Sequence, residues 1–244
     1  MVIDLNCDMG ESYGRWSLGT DEAILPFITS ASIACGYHAG DPHVMRRTVA
    51  LALRHRVAIG AHPSLPDLMG FGRRAMAVSP EELMDLFCYQ IGALREFCRV
   101  AGTDLQHVKP HGALYQMAEE DEHLARAIGE AVRESGPELI LVTLGTGRSD
   151  AVCRKLGVRV ASEGFADRAY NRDGTLVSRR VPGSLITDPA DAATQAVRLA
   201  KEGRFQTLCC HGDTPGAEKI VQAVREELKG AGIEVRPLRD WLAR

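Results

Sequence analysis

LQHVKPHGALY, Leu105 to Tyr115, joins a run of strand character to one of helical character, and at the join stand Lys109 and His111 followed by Gly112. Proline cannot continue a central strand, so Pro110 marks the strand's end. Taken alone, the stretch is a proline-terminated strand with surface polar residues. What decides the fold is that the pattern recurs along the chain.

Short apolar or β-branched runs alternate with longer helical stretches. The strand-like runs are VIDLN (2–6), SASIAC (30–35), VAIGA (57–61), LQHVK (105–109), LILVTL (139–144), VRVAS (158–162), QTLCC (206–210) and IEVRP (233–237). Helix starts follow Asp41, Ser79 and Asp188, each with proline at the first helical position. Ser79 with Glu82 three residues on has the form of a capping box. The helices are expected to end at Gly102, Gly136 and Gly203 in left-handed caps. Seven or eight such units in about 240 residues suit a closed parallel barrel. An open doubly wound sheet competes, and periodicity does not separate the two. EGFADRAYNRDGTLVSRRVPGSLITD (163–188) breaks the rhythm as a long loop with a hairpin around Asn171 to Gly174, and loops of that length tend to be functional.

A chain of 244 residues, 45% of them hydrophobic, is enough for one large domain over 1–244 that buries roughly 70–75% of its unfolded surface. A net charge of −3 without clustered Lys and Arg speaks against a nucleic-acid partner. No apolar run reaches the 18 residues of a membrane span, and MVIDLNCD lacks the basic start and apolar core of a signal peptide, so a cytoplasmic protein without membrane contact is expected. The seven cysteines, with no C-x-x-C pair, are expected to be reduced thiols.

The histidines carry the chemistry. His38, His62, His111 and His211 each fall just beyond a strand-like run, Asn6 and Asp8 end the first run, and Glu163 follows the sixth. In parallel α/β folds the carboxyl ends of the strands face one way and hold the active site, so these groups converge on one mouth. One histidine at a strand end is ordinarily a satisfied hydrogen-bonder; four at equivalent points with Asp8, Lys109 and Glu163 make a site. His55, His107 and His123, in helices or inside a strand, are read as structural or solvated, and His43 at a helix start leans the same way. Asp8, His38 and His62 could hold a divalent Zn²⁺, Mn²⁺ or Fe²⁺. Without a metal, the same groups act as general acids and bases around a hydrolysable carbonyl, with Lys109 stabilising negative charge. Gly112 would let substrate approach the backbone. No phosphate-binding glycine motif stands in strand–helix context; LGTGRSD (144–150) reads as an ordinary tight turn.

The segments DLNCDMGESYG (4–14), SIACGYHAGDP (32–42), GAHPSLPDLMGFGRR (60–74), VKPHGALY (108–115), EGFADRAYNRDGTLVSR (163–179) and CCHGD (209–213) resemble, in order, the signature blocks of the LamB/YcsF family, the A components of 5-oxoprolinases. The resemblance implies an irregular seven-stranded (β/α) barrel of the glycoside hydrolase/deacetylase kind, with the eighth run outside the sheet. It implies ATP-dependent opening of the lactam of 5-oxo-L-proline to L-glutamate, with subunits B and C as partners and ATP as co-substrate. On that reading Asp8 or Glu163 is the base and His111 or His211 the acid. Lys109 and Arg168 hold a carboxylate or phosphate, and Asn6, His38 and His62 bind substrate. The individual roles of Arg172, Arg179 and Arg180 stay unassigned. The alternatives are a stand-alone metal-dependent deacetylase and a non-catalytic lactam-binding subunit.

Overall fold

The computed structural model describes residues 1–145, 147–179, 181–214 and 216–242, which leaves Thr146 of the LGTGRSD turn and Arg180 outside the described residues. Strands β1 (Val2–Met9), β2 (Ser30–Ala34), β3 (Ala58–His62), β4 (His107–Val108), β5 (Ile140–Leu144), β6 (Arg159–Phe165) and β7 (Thr207–Cys210) pair in parallel in chain order. Pairing of β1 with both β2 and β7 closes the barrel. The open-sheet alternative is thereby set aside. The eighth run does join: β8 (Glu234–Val235) pairs with Val2 and Ile3, the amino end of β1 that β2 leaves free. Parallel registers stagger around a tilted barrel, so β1 overhangs β2 and one more strand can dock there.

Helices α1 (Asp21–Ile24), α2 (Pro42–Arg54), α3 (Pro80–Val100), α4 (Ala113–Glu120), α5 (Glu122–Ser135), α6 (Arg148–Lys155), α7 (Pro189–Glu202) and α8 (Ala217–Gly230) fill the connections. No described helix is long and apolar enough to cross a membrane. The Asp41, Ser79 and Asp188 side chains cap α2, α3 and α7, and Ser79–Glu82 is a reciprocal capping box. Ser79→Ala is expected to cost about 1 kcal/mol, read as a lower urea midpoint at unchanged m-value. Gly102 and Gly203 adopt the left-handed conformation that ends a helix. Gly136 does not: at φ 168 and ψ 126 it is extended, because the chain turns directly toward β5.

Side chains alternate across a strand, and here the two faces differ in kind. Ile3, Leu5, Cys7 and Met9 of β1 join the large apolar cluster under the helices. Asp4, Asn6 and Asp8, on the opposite face, meet Ser30, Thr207, Glu163 and Lys109 inside the barrel. The interior is therefore polar beside β1, β2 and β4, and apolar only around Ile140, Val142, Ala161 and Phe165. His107 is one of the interior residues: its Nδ1 accepts from Gln106, its Nε2 faces Ser32 Oγ at 3.1 Å, and burial pushes its pKa down to about 3. Gly60 makes room for it, since a Cβ there would meet the His107 ring at 2.1 Å. All seven cysteines are free thiols, buried apart from Cys88.

Candidate active site

The carboxyl ends of the strands surround a cavity of about 710 Å³, with Asp8, His62, Lys109, His111, Arg168 and His211 on its wall. Asn6, His38 and Glu163 are 1–2% exposed and stand behind that wall. The residues expected from the sequence thus form one constellation in two layers. His43 lies apart, with its Nδ1 taking a contact from Arg46 on the outside of α2.

Lys109 is the centre of the inner layer. Its Nζ lies 2.8 Å from Asp8 Oδ1 and 2.9 Å from Glu163 Oε1, with Asn6 Oδ1 and Cys209 Sγ both at 3.3 Å. Burial opposes the ammonium charge, but Asp8 and Glu163 hold its pKa well above the ordinary lysine value. Asp8 likewise resists burial: His62 and Lys109 keep its carboxyl well below the usual range. Glu163 accepts from Asn6 Nδ2 at 2.8 Å and from Tyr115 OH at 2.9 Å as well as from Lys109. These three contacts fix Lys109 in place and hold the Glu163 carboxylate behind the cavity wall.

The histidines form two separate units. His211 presents Nδ1 to both oxygens of Asp167, at 2.9 and 3.0 Å, and its backbone N–H donates to the same carboxylate at 2.9 Å. Its Nε2 has no hydrogen bond among the described residues, and the ring lines the cavity. Burial alone would raise the Asp167 carboxyl, yet the His211 charge and hydrogen bonds hold it below the ordinary value. The carboxylate fixes ring orientation and tautomer, an arrangement with the geometry that general acid–base chemistry requires.

The other unit is a cluster of His38, His62 and His111 with Glu11. His62 and His111 touch through facing nitrogens at 2.9 Å, and His38 stacks on His111 at 3.6 Å with planes 5° apart. Burial, reinforced by neighbouring imidazoles, pushes the His38 and His111 pKa values well below the ordinary one, which keeps both rings neutral at pH 7. Both nitrogens of His111 are engaged, the second on Phe71 O at 2.8 Å, so His111 is not free to deliver a proton to the cavity. The atoms able to ligate one cation, mutually within 4.8 Å, belong to Glu11, His38, His62 and His111, whereas Asp8 groups with Cys209 and His211. That set differs from Asp8, His38 and His62, because the loop after β1 carries Glu11 over the histidines.

Backbone turns hold the cluster together. Phe71 has φ 55, a left-handed value uncommon for a bulky residue, and it aims its carbonyl at His111. Gly72 and Gly112 also have positive φ; a Cβ on Gly72 would meet His111 and His38, and one on Gly112 would meet the Gly72 carbonyl at 2.5 Å. Gly112 therefore seats one loop against another, and the space it leaves is taken by protein, not by substrate. Positive charge rings the mouth. Arg168 donates to Val177 O and Ser184 O, and burial lowers its pKa to about 10, so it remains charged. Arg73 reaches Asp213 at 2.8 Å and Arg179 approaches the same carboxylate at 3.9 Å.

Glu11, Asp167, Tyr115, Arg73 and Asp213 belong to the site without standing out in the sequence. Glu11 and Asp167 lie inside the DLNCDMGESYG and EGFADRAYNRDGTLVSR blocks, each three or four residues beyond a strand-end residue that does stand out, and that proximity is the signal by which they can be found.

A closed parallel barrel with its polar groups at the strand carboxyl ends is a (β/α) barrel with its candidate site at the end where such barrels carry one. A family 4 carbohydrate esterase from Streptomyces lividans shares this fold, with a TM-score of 0.53 over 99% of this chain and 95% of that one at 11% identity. More specifically, the chain belongs to the LamB/YcsF family, whose model matches residues 3–243. The A subunit of 5-oxoprolinase from Pyrococcus abyssi is 49% identical over 99% of this chain and 100% of its own. The crystal structure of a lactam utilization protein from Thermus thermophilus has a TM-score of 0.92 and 49% identity, covering 97% of this chain and 99% of that one.

Proposed function

We propose that this chain supplies the ring-opening site of an ATP-dependent 5-oxoprolinase, converting 5-oxo-L-proline and water to L-glutamate as ATP goes to ADP and phosphate. The observation that carries the reading is the Asp167–His211 pair, its Nε2 open to a cavity whose rim bears Arg168, Arg73 and Arg179. Relatives this similar are named as the A subunit of 5-oxoprolinase, and a component so named has others beside it. Subunits B and C are the proposed partners, and ATP the proposed co-substrate, bound with their help.

A five-membered lactam is a resonance-stabilised amide. Phosphoryl transfer from ATP to the lactam oxygen creates a leaving group and an electrophilic carbon. His211 then takes a proton from the attacking water through Nε2, its charge stabilised by Asp167. Lys109 places fixed positive charge at the cavity wall where negative charge develops on oxygen, and the rim arginines hold the substrate carboxylate or the phosphate. Collapse of the tetrahedral intermediate breaks the ring C–N bond as the imidazolium returns its proton to nitrogen, leaving an acyl phosphate; a second water adds to its carbonyl carbon, and collapse releases phosphate with the original lactam oxygen and completes the carboxylate.

The test uses 5-oxoproline labelled with ¹⁸O at the lactam carbonyl, turned over by the assembled subunits. One labelled oxygen is expected in the released phosphate. Unlabelled phosphate, or ATP turnover equally fast without this chain, would remove the basis of the proposal. The stand-alone deacetylase reading draws on the Glu11, His38, His62, His111 cluster, and it requires amide hydrolysis by the isolated chain without ATP.

A further inference from the structure

The His62–His111 contact is unusual in what it does to protons. His62 Nδ1 lies 2.7 Å from the Lys109 carbonyl oxygen, and His111 Nε2 lies 2.8 Å from the Phe71 carbonyl oxygen. A carbonyl only accepts, so each ring must carry its N–H on that side. The remaining nitrogens, His62 Nε2 and His111 Nδ1, then face each other with bare lone pairs at 2.9 Å, the rings meeting at 88°. Two lone pairs at that separation repel unless a positive charge is shared between them.

The surroundings call for the same charge. Glu11 Oε1 stands 3.8 Å from His111 Nδ1, and Asp8 Oδ2 stands 3.4 Å from His62 Nε2, so carboxylates flank both facing nitrogens. Imidazoles that bind a metal through one nitrogen characteristically give the other N–H to a backbone carbonyl or carboxylate, and both rings here do so. For ligand bonds of about 2.0–2.1 Å in tetrahedral array, ligand atoms sit ~3.3 Å apart, and the separations of 2.9 and 3.8 Å fall on either side of that value.

We propose that His62 Nε2, His111 Nδ1 and Glu11 Oε1 form a binding site for one divalent transition-metal ion, a site independent of the lactam reading. His38 is not a fourth ligand. An ion lies in the plane of each imidazole that binds it, and His38 is stacked parallel to His111 at 3.6 Å. His38 instead supports the site from behind, its Nε2 3.2 Å from Glu11 Oε1. Two nitrogens and one oxygen favour Zn²⁺, Mn²⁺ or Fe²⁺ over the oxygen-seeking Mg²⁺ and Ca²⁺. When bound, such an ion supplies Lewis-acid polarisation of a carbonyl or phosphoryl oxygen.

The experiment takes the full chain, strips it with chelator, and titrates it with Zn²⁺ by calorimetry, with metal content counted after dialysis. One equivalent is expected to bind. Glu11→Gln and His111→Gln, checked for folding by circular dichroism, are expected to weaken binding more than about 100-fold, and His38→Ala about 10–100-fold as a supporting residue does. Co²⁺ in the wild-type chain should give a d–d spectrum and pulsed-EPR couplings from two imidazoles, a readout that survives if the variants unfold. Failure of the wild-type chain to take up Zn²⁺, unchanged affinity in a folded His111→Gln, or Co²⁺ couplings from fewer or more than two imidazoles overturns the proposal. A ¹⁵N spectrum of metal-free protein at neutral pH that shows one proton shared between His62 and His111, with no Zn²⁺ uptake, assigns the missing charge to a proton and likewise overturns it.

Discussion

Lys109→Met is expected to be the most damaging single change in this barrel, costing about 3–5 kcal/mol and leaving little folded protein at neutral pH. The substitution keeps the apolar stem and removes only the ammonium group. Asp8 and Glu163 then share the interior with no cation between them, both nine-tenths buried or more. An unpaired charge inside the protein is far more costly than the ion pair was beneficial. The pH dependence should invert. In the natural chain the depressed Asp8 pKa contributes stability that is present above the ordinary carboxylate value and lost as pH falls through the folded one. In Lys109→Met burial at Asp8 is opposed mainly by His62 alone, so the folded Asp8 pKa rises and the protein is more stable at pH 5 than at pH 8. Denaturant titrations at both pH values decide this. Adding Glu163→Gln should restore folding without restoring 5-oxoproline turnover, which separates the structural effect of the charge from the catalytic one. If Lys109→Met unfolds at the same denaturant concentration as the natural chain, the buried charge network does not hold the barrel together.

His211→Asn is expected to lower kcat for lactam opening by about 10²–10⁴-fold, with the affinity for 5-oxoproline changed little. The ring's Nδ1 is committed to Asp167 and only Nε2 reaches the cavity, so the side chain acts on protons and not on substrate binding. Asp167→Asn tests the arrangement from the other side. It can reverse the hydrogen bond and present the wrong tautomer, an effect worth up to ~10⁴-fold where the same geometry operates. Stability should respond as well. Asp167 owes its lowered pKa to His211, so the natural protein loses that contribution as pH falls, and His211→Asn should flatten this acid limb. A folded His211→Asn with unaltered kcat at every pH would exclude His211 from proton transfer.

Much of this is legible in the sequence because it depends on periodicity. Strand runs, capped helices and the placement of His38, His62, Lys109, His111 and His211 after strands follow from local patterns. The depth of each group does not. Asn6 and Asp8 share one strand face, yet Asp8 reaches the cavity and Asn6 is tied to Glu163 and Thr207 beneath it. Glu163 has every mark of a catalytic carboxylate until Tyr115 and Lys109 are seen on its oxygens. The Glu11 contacts with the histidines depend on loop paths that no spacing rule encodes, and its partner His38 lies 27 residues away. The extended Gly136 shows the converse: a glycine after a helix permits a left-handed cap without requiring one.

The pairing of β1 sets the order in which this molecule can be made. Asp4 on β1 accepts from Thr207 on β7, 203 residues later, and β8 binds the same strand later still. On the ribosome β1 emerges first and waits for nearly the whole chain before its two edges are covered. Early folding can proceed on local contacts that include the β1–β2 pair, whereas closure of the ring at the β1–β7 edge is a late, long-range event with a correspondingly slow step. Asp4, Asn6 and Asp8 suit a strand with that history, since a polar face tolerates water during the wait where a ladder of valine and isoleucine would seek other chains.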